Sequence, residues 1–200
     1  MLNITLVRHG EAEGNTQQRF LGVTDAPLTA RGIEQAESTA NRLGKFDFVY
    51  SSPLQRAYRT AQIIVDGRYQ KEIFQIDELK ERNFGIFENM TIPEMEKINL
   101  PVRQAWTADL VGFRIPEGES MEDLRLRAAC AAERILQGHT AAVQGMIDEE
   151  ILIVSHLNTL RMILVSLLDL PIIDGQKFFI SNAGIVRLNV SVQRTELVFE

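Results

Sequence analysis

An α/β fold built on a mainly parallel sheet is what this 200-residue chain predicts, from three observations. Short apolar runs at residues 4–7, 46–50 and 151–154 are separated by stretches of helical period, the alternation that lays parallel strands beneath covering helices. The run Ile151-Leu152-Ile153-Val154 has no polar break, as a strand buried on both faces requires. Hydrophobic content of 45% and charged content of 24% are ordinary globular values, and the length suffices for one full core.

Taken in order, the first strand, Ile4 to Val7, stops at Arg8-His9-Gly10, where glycine frees the backbone to turn. Residues 29–43 read as a helix capped by Thr29 and stopped by Gly44. Phe46-Asp47-Phe48-Val49-Tyr50 alternates as a second strand. It breaks into Ser51-Ser52-Pro53, with Ser52 as N-cap and Pro53 in the first turn of a helix over 54–65. From Phe84 to Pro116 the period weakens. Met90, Met95, Trp106 and Phe113 follow no strand pattern, and Pro93 and Pro101 interrupt, so short helices covering a site are expected. Ser120 caps a long helix running to about Met146. The buried strand 151–154 follows, then a helix over 158–168 ended by Pro171, and a closing hairpin of 185–190 with 196–199. No repeat, linker or low-complexity tract divides the chain, so a single domain over 1–200 is expected, with a variable cap at about 84–118.

The strand ends carry the chemistry. Arg8 offers a planar fork of donors suited to phosphate, and His9 an imidazole that can serve as nucleophile, base or ligand. Arg56 falls near a helix start, where backbone N–H groups favour an anion. His156 ends the buried run. Open α/β sheets place their sites at the C-terminal ends of strands. Two arginines, two histidines and a helix start are the parts of a phosphoryl-transfer site without an obligatory metal or other cofactor.

At this point the chain resembles the histidine phosphatase superfamily, also called the phosphoglycerate mutase-like proteins. The matching blocks are Arg8-His9-Gly10-Glu11 with Asn15, then residues 22–32 (GVTDAPLTARG) and Ser51-Ser52-Pro53-Leu54-Gln55-Arg56 continued by Ala57-Tyr58-Arg59-Thr60-Ala61. Leu79-Lys80-Glu81-Arg82-Asn83-Phe84-Gly85, Pro116-Glu117-Gly118-Glu119-Ser120 and Val154-Ser155-His156 complete an ordered set. The resemblance implies a three-layer α/β/α sandwich with one antiparallel strand. It also implies His9 as the nucleophile and Arg8, Arg56 and His156 as holders of the phosphoryl oxygens. Asn15 would assist from the loop, and Glu81 would give a proton to the leaving oxygen. Glu78 and Glu88 are the carboxylates most easily mistaken for that acid. Arg19 is a candidate substrate contact, whereas Arg103 and Arg114 read as surface residues. The chain departs from the family pattern twice: His156 is followed by Leu157-Asn158 where members often carry glycines, and Glu88-Asn89 stands where many have an acidic-glycine pair.

The activity implied is a metal-independent phosphomonoesterase acting on a small phosphate ester. A mutase of the phosphoglycerate type and a non-catalytic phosphate-binding protein are the rivals. The net charge of −6 argues against nucleic-acid binding. No apolar run reaches membrane-spanning length, and no basic region followed by an apolar stretch opens the chain, so neither membrane association nor a signal peptide is expected. The lone Cys130 excludes an internal disulfide, fits a cytoplasmic location, and is expected in the core. His139 reads as structural or exposed. Met162, Leu164 and Leu168 read as core, leaving a homodimer as an open possibility.

Overall fold

The computed structural model describes residues 1–65 and 72–198. A six-stranded sheet forms its middle layer. The central strand, β1 (Leu2–Arg8), lies between two strands from the last third of the chain, β4 (Glu149–Ser155) and β5 (Ile185–Val190). With β2 (Phe48–Ser51), β3 (Ile73–Gln75) and β6 (Thr195–Val198), the order is β3-β2-β4-β1-β5-β6. Only β5 runs against the rest, pairing antiparallel with both β1 and β6. This is the mainly parallel sheet with one reversed strand that the family resemblance implies.

Strand alternation sorts the core into two layers. Leu2, Ile4 and Leu6 point to one face with Ile151 and Ile153, and there meet α4 (Met121–Gly138) and α6 (Leu157–Leu167) through Leu124, Ala128, Ile135, Leu160 and Leu164. Val7, Val49, Leu152 and Val154 face the other way, onto α1 (Ala30–Arg42) and α2 (Gln55–Val65) through Ala40, Ala57, Ala61 and Ile64. Met162 and Leu164 are buried in the first layer, as expected of core residues. Among the described residues no helix is long and apolar enough to cross a membrane.

Helix starts follow their caps. Thr29 accepts from Gly32 N at 3.0 Å, and Ser120 forms a capping box with Asp123. The long helix expected to reach Met146 stops at Gly138. His139 turns inward there, its Nδ1 2.7 Å from Glu149 and its Nε2 2.9 Å from the Tyr50 hydroxyl, before a single turn, α5 (Thr140–Val143). His139 is thus structural and buried. Cys130 corrects an expectation: it lies on the exposed side of α4, because the helix's buried stripe runs through Ala128, Ala131 and Ala132. Strand β3 was not foreseen; three residues at a sheet edge leave too little pattern to read. Phe199, assigned to the closing hairpin, lies outside the described residues.

The cap region contains the 3-10 turn Gly85–Phe87 and α3 (Ile92–Ala108), which breaks at Asn99 two residues before Pro101. Phe84, Phe87, Met95, Trp106 and Ile115 form a small core of their own beneath it.

Candidate active site

Three adjacent parallel strands end level. Arg8 pairs with Ser155 across β1 and β4, and Ser51 pairs with Val154 across β2 and β4. The ladder continues one bond further on each side: His9 N donates to Ser155 O at 3.0 Å, and Ser52 N donates to Val154 O at 3.0 Å. His9 and His156 therefore emerge side by side, with ring centroids 5.0 Å apart. Gly10 is required here by space. A Cβ would sit 2.3 Å from Gly32 O, so the turn after His9 packs directly on the first turn of α1.

His9 is buried, and its Nδ1 lies 2.6 Å from Gly10 O. A carbonyl can only accept, so Nδ1 carries the hydrogen and Nε2 keeps its lone pair. Burial, reinforced by the Arg56 and Arg8 charges, holds His9 well below the ordinary histidine range; the bond to Gly10 opposes this only in part. Its backbone oxygen is gripped as well, by Ala183 N at 3.1 Å and Asn182 Nδ2 at 3.3 Å. His156, fully buried, is likewise held well below the usual range, by burial first and then by Arg56, His9, Arg127 and Arg8. Its Nε2 is 2.8 Å from Ser52 Oγ, which accepts from Leu54 N. A hydroxyl hydrogen given to Nε2 would put the His156 proton on Nδ1.

The two arginines are anchored from behind. Arg8 Nη1 donates to Ile180 O at 2.8 Å. Arg56, also fully buried, donates through Nη1 to Thr24 O at 2.9 Å and through Nη2 to Gly22 O at 2.6 Å. Each keeps its buried Nε–H in reserve. Arg8 Nε, Arg56 Nε and His156 Nδ1 are all buried without a protein partner among the described residues. Buried polar atoms are nearly always satisfied, so three unsatisfied ones from three elements around one imidazole mark a place for an anion.

Glu81 is buried against the start of α6. Its Oε1 accepts from Arg82 N at 2.8 Å and its Oε2 from Asn158 N at 3.2 Å. Its charge reaches Arg8, Arg56, Arg82 and Arg161. Behind it, Arg127 donates to the backbone oxygens of Glu78, Lys80 and Glu81 while forming an ion pair with Glu119.

The fold thus gathers Arg8, His9, Arg56, Glu81 and His156. Asn15 engages through its side-chain oxygen, and Arg19 through its guanidinium, with other parts of the loop and cap. Asn15 Oδ1 accepts from Ala12 N at 2.9 Å, closing a turn. Arg19 forks onto Glu94 at 2.9 and 3.0 Å and also donates to Asn89 O and Gln17. Arg103 stacks over Trp106, and exposed Arg114 pairs with Asp123. Sequence reasoning passed over Ser52 as a partner of His156, the Arg127–Glu119 brace and Asn182. Only Ser52 and Glu119 lay inside a matched block, and Ser52 was already accounted for as a cap.

The family model for the histidine phosphatase superfamily (branch 1) matches residues 4–199. A relative named probable phosphoglycerate mutase GpmB, from Escherichia coli O1:K1 / APEC, is 35% identical over 193 residues, covering 94% of this chain and 85% of its own. The alpha-ribazole phosphatase from Shigella flexneri superposes with a TM-score of 0.89 at 28% identity, covering 98% of this chain and 94% of its own. Phosphoserine phosphatase from Entamoeba histolytica, solved in complex with 3-phosphoglyceric acid, gives 0.82 at 28% identity over 100% and 96% of the two chains.

Proposed function

Because the chain belongs to the histidine phosphatase superfamily (branch 1), we propose that it is a phosphomonoesterase that works through a phosphohistidine at His9 and needs no metal. The observation that carries this reading is the neutral, buried His9, with Nε2 free, beside the unsatisfied donors of Arg8, Arg56 and His156. In the first step His9 Nε2 forms a bond to phosphorus while the ester P–O bond breaks and Glu81 gives its proton to the departing oxygen. Water then attacks phosphorus, the P–N bond breaks and Glu81 takes the water's proton. Charge spreads over three phosphoryl oxygens throughout, so donors fixed before the reaction supply most of the stabilisation.

A small phosphorylated metabolite is the substrate class this reading assigns. The solved neighbours named above carry phosphatase titles. The GpmB name favours the second reading, in which the phosphoryl group returns to a bound acid instead of water. Both share the His9 step and part at the acceptor.

The test is release of inorganic phosphate from a phenolic phosphate ester in the presence of chelator, for the parent and His9→Ala. Chelator-resistant turnover that falls by at least about 10³-fold in the variant is expected. Parent turnover that chelator abolishes, or that survives loss of His9, would overturn the mechanism. Transfer between the hydroxyls of a phosphorylated acid without net phosphate release would select the mutase.

A further inference from the structure

One carboxylate joins the cap to the phosphate cradle and has no part in the chemistry above. Glu88 follows the Gly85–Phe87 turn, and its two oxygens receive five hydrogen bonds. Phe84 N donates at 2.8 Å, Gly22 N at 3.3 Å, Val23 N at 3.1 Å, Thr24 N at 3.1 Å and the Thr24 hydroxyl at 2.6 Å. Three successive backbone N–H groups converging on one anion fix the peptide units that bear them.

Two of those units, 21–22 and 22–23, turn carbonyls toward the cradle, and the carbonyl of Thr24 follows from the next unit. Gly22 O and Thr24 O are the acceptors of Arg56 Nη2 and Nη1, and Leu21 O lies 3.4 Å from Nη2. Asp25, the next residue, accepts from Gln55 N at 2.8 Å and so holds the first residue of the helix that carries Arg56. The peptide units 21–22 and 22–23 are therefore sandwiched between an anion on their N–H side and a cation on their C=O side, an arrangement in which each partner strengthens the other's bonds. The approach is close enough to demand glycine: a Cβ on Gly22 would lie 2.0 Å from Glu88 Oε1 and 2.2 Å from Arg82 O.

We infer that Glu88 is a positioning residue for the phosphate cradle, orienting the 22–24 peptides and, through them, the Arg56 guanidinium. The inference rests on the cradle of the proposed function and goes beyond it by making the cap a part of the cradle's geometry.

The experiment is calorimetric binding of inorganic phosphate to the parent, Glu88→Gln, Arg56→Ala and the double variant, each checked for a cooperative melt. Glu88→Gln is expected to weaken phosphate about tenfold in the parent, and about twofold or less when Arg56 is already absent. Equal factors in both backgrounds would show a general brace and overturn the inference, as would no weakening at all. Should Glu88→Gln fail to fold, Thr24→Val removes one of the five donors. A weakening of roughly threefold, lost in the Arg56→Ala background, is then expected, and equal factors again overturn it. Phosphate binding needs no turnover. Failure of His9-dependent hydrolysis would therefore strike the proposed function alone, whereas a parent that does not bind phosphate would sink both.

Discussion

The strand-end cradle and the cap segment converge on one site but are held in different ways. Arg8 and His9 continue a central strand hydrogen-bonded on both edges, and His156 continues its neighbour, so backbone ladders set their positions. The cap touches the sheet's loops through one isolated bridge, Phe20 to Met90, and otherwise through side chains: Arg19 to Glu94, Glu88 to residues 22–24, and the aromatic cluster around Trp106. A ladder cannot be changed by substituting one side chain, whereas such packing can. The difference teaches where each kind of change belongs. On the proposed function, reaction chemistry sits where substitution leaves geometry intact, and the cap sits where substitution remodels it.

The comparison is sharpened most by Glu81, which lies where the two regions meet. Glu81→Gln should lower kcat on alkyl phosphates by about 10²–10⁴-fold while costing a phenolic ester far less, because a phenolate leaves without a proton. Steady-state kinetics on both ester types decide it, and equal losses would remove Glu81 from the acid role.

Next comes Arg56→Ala, expected to lower kcat by about 10²–10³-fold. Its pH profile matters more than its size. His9 must be neutral to attack, and its lowered pKa keeps kcat/KM in the parent level below the ordinary histidine value of 6.5. After burial, the Arg56 charge does most to lower the His9 pKa, so its removal should move the acid limb to higher pH. An unmoved limb would mean that the cradle does not tune its nucleophile. The same shifts bear on stability. Both buried histidines bind protons less readily folded than unfolded. Stability is thus fully present above about pH 6.5 and is lost as pH falls below it toward the folded values. Melting temperatures between pH 7 and 5 should fall accordingly.

The smallest effect on chemistry is expected in the cap. Trp106 is buried among Phe20, Phe84 and Phe87, with the Arg82 guanidinium 5.3 Å from its ring. Trp106→Ala should destabilise by about 3–5 kcal/mol and lower Tm by roughly 10 °C. On a phenolic ester, KM should move more than kcat. A kcat loss rivalling that of Arg56→Ala would erase the distinction between the regions.

The two regions were also unequally legible in the amino-acid sequence. Strand ends announce themselves by an apolar run broken at a charged residue, and that pattern located Arg8, His9 and His156 before any contact was known. Cap signals likewise named Thr29 and Ser120. Residues that act through long-range bonds to backbone, such as Arg127 with Glu78 O and Lys80 O, have no local period to betray them. Helix length was misjudged at His139, because a tertiary bond to Glu149 outweighed local propensity. One apparent departure has a physical reason: Asn89 stands where many members have glycine, and its φ of 55° is the left-handed backbone that asparagine tolerates.

The position of β1 has a consequence for assembly. It precedes the other strands of the sheet along the chain, yet its ladder partners come late: Leu2 pairs with Glu149 on one side and Val190 on the other. Support for His9 O arrives with Asn182 and Ala183. Until β4 follows, both edges of the central strand are open, and until β5 follows one still is. Pairings this distant along the chain slow the search for the native state. A nascent chain halted before Asn182 would therefore carry His9 without those supports.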